Sequence, residues 1–189
     1  MNADLLVYQA KSFYNAYIAL DQLSRDDSDA LLLLFAPLIV NGAFSTELTL
    51  KAILAKNQIK YGKEHNLLIL FQMLPESFQQ ELWAYLIEKA PEYAGSEKGL
   101  DELILLSNAF VDWRYAFEGN PVPAIESRFL AAFANAAIRT MFSHYNTDLR
   151  PVAKTESGNA IEQKFRDSRE KCKEINLKMI KKKTKEHQL

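Results

Sequence analysis

Apolar residues recur at spacings of three and four along most of residues 1–150, and no stretch alternates apolar with polar side chains for long enough to make a half-buried strand. That periodicity restricts the chain to an all-α fold. Leu6, Ala10, Phe13, Tyr14, Tyr17 and Leu20 mark the inner stripe of a first helix over about residues 3–23. "SRDDSD" ends it and offers caps for a second helix from about Asp29 to Lys56, which Pro37 should kink by removing a backbone donor. "NLLILFQML" is a short apolar segment stopped by Pro75. "ESFQQELWAYLIEKA" returns to helical spacing through Phe78, Leu82, Tyr85 and Leu86, and "PEYAGSEKG" reads as the next loop. Further helices are expected from Leu100 to Phe117 and from Ala124 to about Tyr145, with "GNPVP" between them. Five or six helices on short connections predict an antiparallel bundle over residues 1–150.

Beyond the bundle the composition changes. "NTDLRPVAKTESGN" is a polar linker, and a charged, helix-prone extension follows, so residues 151–189 form a separate basic segment. Residues 1–150 carry 12 Lys and Arg against 18 Asp and Glu, whereas 151–189 carry 11 against 6. A basic tail on an acidic body has two readings: solvated charge, or attraction to nucleic acid by phosphate neutralisation. Ile161, Phe165, Cys172, Ile175 and Met179 follow heptad spacing and form a thin seam that could dock or dimerise. Cys172 is the single cysteine, which excludes an intrachain disulfide or a thiolate metal cluster and fits a reducing, cytoplasmic setting. The start "MNADLLVYQAKSF" lacks signal-peptide character, and the run "ALLLLFAPLIV" is about half the roughly 20 residues needed to span a bilayer, so no membrane association is expected.

Within the second helix, Val40, Phe44, Glu47, Lys51 and Leu54 share one narrow stripe, while Ser45, Thr46, Thr49 and Lys56 take the opposite side. Two opposite charges therefore sit where a core should be. Placed i and i+4 with the glutamate first, they can neutralise each other and lower the cost of burial.

There is no glycine-rich phosphate loop, HExxH, CxxC pair or GxSxG, and His65, His144 and His187 lack metal-ligand spacing, so neither a metal nor a cofactor is expected. "AFSTELTLKAIL", then "EHNLLILFQMLP", then "FVDWRYAFEG" together resemble the HEPN family, named for higher eukaryotes and prokaryotes and for nucleotide binding. The likeness covers roughly residues 5–146. It rests on the Glu-x-x-x-Lys step at Glu47 and Lys51, the His-x-Leu turn at His65, and Arg114, Tyr115 and Glu118. The resemblance implies a compact, commonly dimeric helical bundle whose active members are metal-independent ribonucleases of defence and toxin-antitoxin systems, with an arginine and a histidine four to six residues apart. "RTMFSH" supplies Arg139 and His144 at that spacing, with Thr140 where many active members carry asparagine, aspartate or histidine.

Cleaving RNA without metal needs a base for the 2′-hydroxyl, an acid for the leaving oxygen and a cation for the charge on phosphorus. One histidine and one arginine cannot fill three roles, so a homodimer pairing two copies of Arg139 and His144 across a twofold axis is the expected catalytic unit. On a helix those two residues point about 140° apart and should not share a face. Glu47, Lys51, His65 and Arg114 are the candidate ligand-binding residues. For each there is a structural alternative: a buried pair for Glu47 and Lys51, a helix cap at His65 or Asn66, and aromatic packing for Arg114. The leading expectation is an RNA-directed dimer, with a cognate antitoxin or nucleotidyltransferase protein as a further partner. The alternative is a catalytically silent module that binds a nucleotide or protein through the Glu47, Lys51 and Arg114 region.

Overall fold

Seven α-helices are present among the described residues: α1 (Ala3–Asp26), α2 (Ser28–Lys56), α3 (Leu67–Gln72), α4 (Glu76–Lys89), α5 (Ser96–Leu106), α6 (Ala109–Arg114) and α7 (Ser127–His144). A 3-10 turn covers Pro91–Tyr93, and no strand occurs among those residues. The structure is a computed structural model that describes residues 3–26, 28–94, 96–115 and 124–145, all within one unit, Met1–Thr147. The basic extension with its seam, and Glu118, lie outside the described residues.

α2 is the axis of the bundle. α1 lies along it, and α3, α6 and α7 cover its other sides, while α4 packs on α7. Directions follow from cross-helix bonds. Ser45 donates to the Ala10 carbonyl and Lys56 pairs with Asp4, so α1 and α2 run antiparallel. Arg139 meets Glu88 and His144 meets Glu81, so α4 and α7 do as well. Pro37 lies inside α2, and the Asn41 side chain donates to its carbonyl.

The expected polar side of α2 is buried except at Lys56, which corrects the single-stripe picture. Ser45, Thr46 and Thr49 are as enclosed as Leu50 and Ile53. Thr46 and Thr49 bond the carbonyls one turn back, Gly42 and Ser45, so their hydroxyls need no solvent. With both sides apolar or self-satisfied, Leu33–Lys56 is by length and composition long enough to cross a membrane, about twice the run counted from sequence.

Two other expected helices differ in their bounds. The expected helix Leu100–Phe117 begins earlier, at Ser96, and is broken into α5 and α6 at Ser107 and Asn108. The cause is a competing partner: the Ser107 carbonyl accepts the Leu67 N–H at 2.8 Å, satisfying a donor that α3's first turn leaves free. Asn66 donates to Asn108 across the same junction. The last helix starts at Ser127 rather than Ala124.

Gly42 marks a close crossing of three helices. A Cβ there would sit 3.0 Å from the Tyr17 ring and 3.1 Å from Leu130, so α1, α2 and α7 meet around a missing side chain. Gly42→Val should therefore overpack the crossing and cost about 1–3 kcal/mol, read as a lower urea midpoint. An unchanged midpoint would show that the three helices do not meet there.

Candidate functional site

Five of the six sequence candidates fall into two groups, with no ion pair or hydrogen bond among the described residues joining the two. The first surrounds Glu47. Lys51 Nζ donates to Glu47 Oε1 at 2.7 Å, and both side chains are buried. The turn before α3 brings His65 to the same oxygen. Glu64 accepts the backbone N–H groups of His65 and Asn66, and Asn66 caps α3 through the Ile69 N–H. Those backbone bonds hold the Glu64 carboxyl below its ordinary pKa. His65 is thus free of the capping role, and its Nδ1 lies 2.9 Å from Glu47 Oε1. A carboxylate only accepts, so Nδ1 carries the proton in this contact. Glu47 Oε2 is buried and has no hydrogen-bond partner among the described residues. The Tyr61 ring lies 5.6 Å from Lys51 Nζ, and burial, reinforced by the Glu47 charge, raises the Tyr61 pKa.

Arg114 does not join this cluster. Its guanidinium lies over the rings of Phe110 and Tyr115 and donates to the Tyr115 hydroxyl, and Phe110 stacks on Phe44 at 4.3 Å. The aromatic stack connects Arg114 to α2 one turn before Glu47, and the packing alternative describes its surroundings.

The second group lies along α4 and α7. Arg139 forms two hydrogen bonds with Glu88, at 3.1 and 3.3 Å, and covers the Tyr85 ring at 4.0 Å. Glu88 keeps the guanidinium firmly protonated. His144 Nε2 lies 2.5 Å from Glu81 Oε2, and its ring packs on Phe78 at 4.3 Å. Ser143 donates to the other Glu81 oxygen at 2.6 Å. Burial works to raise the Glu81 pKa, but bonds from Ser143, His144 and Tyr85 outweigh it and hold the carboxyl below its ordinary value.

The 140° separation therefore does not scatter the pair. Both side chains reach back to α4, onto Glu81 and Glu88, which stand seven residues apart with Tyr85 between them. Thr140 is fully enclosed and its hydroxyl has no partner among the described residues, so it presents nothing to a substrate. Sequence reasoning missed Glu81, Tyr85, Glu88 and Ser143. The signal was there in the single line of Glu81, Tyr85 and Glu88 on α4. Among the described residues no cluster of three metal-ligating side chains occurs. Compared with known proteins, the chain matches no family model, no curated sequence and no solved structure.

Two consequences are measurable. Lys51→Met should leave Glu47 a buried, poorly compensated charge and cost on the order of 3 kcal/mol, whereas replacing both by apolar residues should be far milder. Small, additive losses from the two single changes would mean that the pair is not desolvated. Glu81 supplies a pH test. Its folded pKa lies below the unfolded value near 4.5, so its contribution is complete above that pH and fades as the pH falls through the folded value. Thermal midpoints of the wild type should drop more steeply below about pH 4.5 than those of Glu81→Gln; parallel curves would refute the linkage.

Proposed function

We propose that this protein is a HEPN-type helical bundle acting on RNA as a dimer, with His144 as the proton-transfer group and Arg139 as the phosphate ligand of a metal-independent endoribonuclease. The observation that carries the reading is the Glu81–His144 contact. A carboxylate on Nε2 fixes the ring orientation and leaves Nδ1 as the nitrogen available for proton transfer. Glu81 is in this reading a positioning residue. Two copies supply a base for the 2′-hydroxyl proton and an acid for the departing 5′-oxygen, and the products carry a 2′,3′-cyclic phosphate and a 5′-hydroxyl.

The Glu88 pair is the electrostatic objection to be met. Arg139 and Glu88 are both partly open to water, with 38% and 62% of their side chains accessible. Exposed ion pairs are weak, so an RNA phosphate can replace Glu88 on the guanidinium at small cost.

A second reading has its own support. Glu47 Oε2, buried and without a partner, fits a silent module in which a donor group of a nucleotide or protein completes the Glu47, Lys51 and His65 cluster.

Cleavage assays with a chelator present separate the two. His144→Ala and Arg139→Ala should each lower cleavage about 10²-fold or more without unfolding the chain, and light scattering should show a dimer at micromolar concentration. Full activity in both variants, or a wild-type monomer that cleaves, would end the dimeric mechanism. No chelator-resistant cleavage on several RNAs would transfer the assignment to the binding module.

A further inference from the structure

The turn between α2 and α3, residues 57–66, holds an imidazole that the cleavage chemistry does not use. Its Nδ1–H donates to Glu47 Oε1 at 2.9 Å, and Lys51 Nζ donates to the same oxygen at 2.7 Å. Glu47 is buried, while 53% of the His65 side chain is open to water. A neutral ring protonated at Nδ1 carries its free lone pair on Nε2. Among the described residues nothing bonds that nitrogen. It stands at the far edge of the ring, whereas Nδ1 is crowded by the carbon that bears the side chain.

His144 is arranged the other way round. Glu81 holds its Nε2, and its ring packs on Phe78. Of these two histidines His65 alone presents the outer nitrogen as a nucleophile. The carboxylate behind its ring can also balance the positive charge that appears when Nε2 forms a bond.

The surroundings of His65 favour an anionic electrophile. Glu64, the nearest carboxylate in sequence, already accepts the backbone N–H groups of His65 and Asn66. Lys60 and Lys63 on the same turn have no ion pair among the described residues. A cavity of about 370 Å³ opens on this turn, with Lys60 as the one charged residue of its lining. Tyr61 is a shared wall: it lines the cavity, and its ring lies 5.6 Å from Lys51 Nζ. The product narrows the choice further, because an acyl group on imidazole is soon lost to water while a phosphoryl group on it persists at neutral pH.

We propose that His65 is a modification site that accepts a phosphoryl group on Nε2 from a small acyl phosphate. The Nε2 lone pair attacks phosphorus, the N–P bond forms as the P–O bond to the acyl group breaks, and the acyl group leaves as a carboxylate. The ring becomes a cation that keeps its Nδ1 proton, hydrogen-bonded to Glu47. The site depends neither on a dimer nor on cleavage by His144.

Acetyl phosphate, incubated with the full chain and its products mapped by mass spectrometry at neutral pH, tests it. His65 should be phosphorylated faster than His187 and at least about tenfold faster than His144, whose outer nitrogen Glu81 holds. Phosphorus NMR should place the group on Nε2, and acid should release it. Glu47→Gln should slow the labelling at least about tenfold with circular dichroism unchanged. The ratio between histidines is read in the wild type, so it decides the matter even where Glu47→Gln unfolds. Equal labelling of His65 and His144, a group on Nδ1, acetylation of Lys60 or Lys63 in its place, no label on His65, or a folded Glu47→Gln chain that labels at the wild-type rate would overturn the assignment.

Discussion

A helix segment enclosed on nearly every side cannot leave polar groups for water to satisfy, and the rest of this bundle depends on how residues 42–54 of α2 meet that demand. Ser45 reaches across to α1, while Thr46 and Thr49 turn back onto their own helix. Glu47 and Lys51 pair with each other, and His65 is brought from the turn before α3 to share the same carboxylate oxygen. That last contact links the core to a loop. Glu64 and Asn66 hold the turn by backbone bonds, and Ser107 breaks the α5–α6 helix to supply α3 with an acceptor. One buried charge pair thus sets requirements three elements away, because its partners must be built from the chain around it.

How far the sequence could be read follows from which interactions are local. The helices α1, α2 and α4 were legible, since their stripes depend only on spacing. The charge pair was legible for the same reason: i and i+4 on one helix need no knowledge of the fold. The Ser107 break was not. Its cause is the Leu67 N–H, forty residues away in sequence, and the intrinsic pattern of residues 100–117 runs on without interruption. The all-round burial of α2 was missed likewise, because hydroxyls that satisfy themselves look polar in sequence and apolar in a core.

Arg139 and His144, the pair proposed to react, show the same division more sharply. Spacing gave Arg139 and His144 diverging directions on α7, and that geometry is right for the Cα–Cβ vectors. It fails for the ends of the side chains. Both side chains are long enough to curve back to α4, where Glu81 and Glu88 wait on one line. A helix-wheel argument therefore ranks faces but not partners, and only the neighbouring helix decides what an arginine or a histidine meets.

Charge on α7 is arranged along one of its lines. Arg128, Ala132, Asn135 and Arg139 follow spacings of four, three and four, so they form a single stripe about 16 Å long. At one end Arg128 and Asn135 line a cavity of about 320 Å³ beside α1; at the other Arg139 lies on Tyr85 and Glu88. Lys89 follows Glu88 directly on α4, so the two places meet at the last turn of that helix. Both arginines of the stripe rest on glutamates, Glu92 and Glu88, rather than standing free. Carboxylates in those positions keep the stripe from attracting every polyanion at long range, because the paired charges cancel beyond a Debye length. In the proposed reading a substrate phosphate displaces Glu88 from Arg139, since that pair is open to water and weak. Selection at this surface would then rest on fit to the donors, with net charge playing the smaller part.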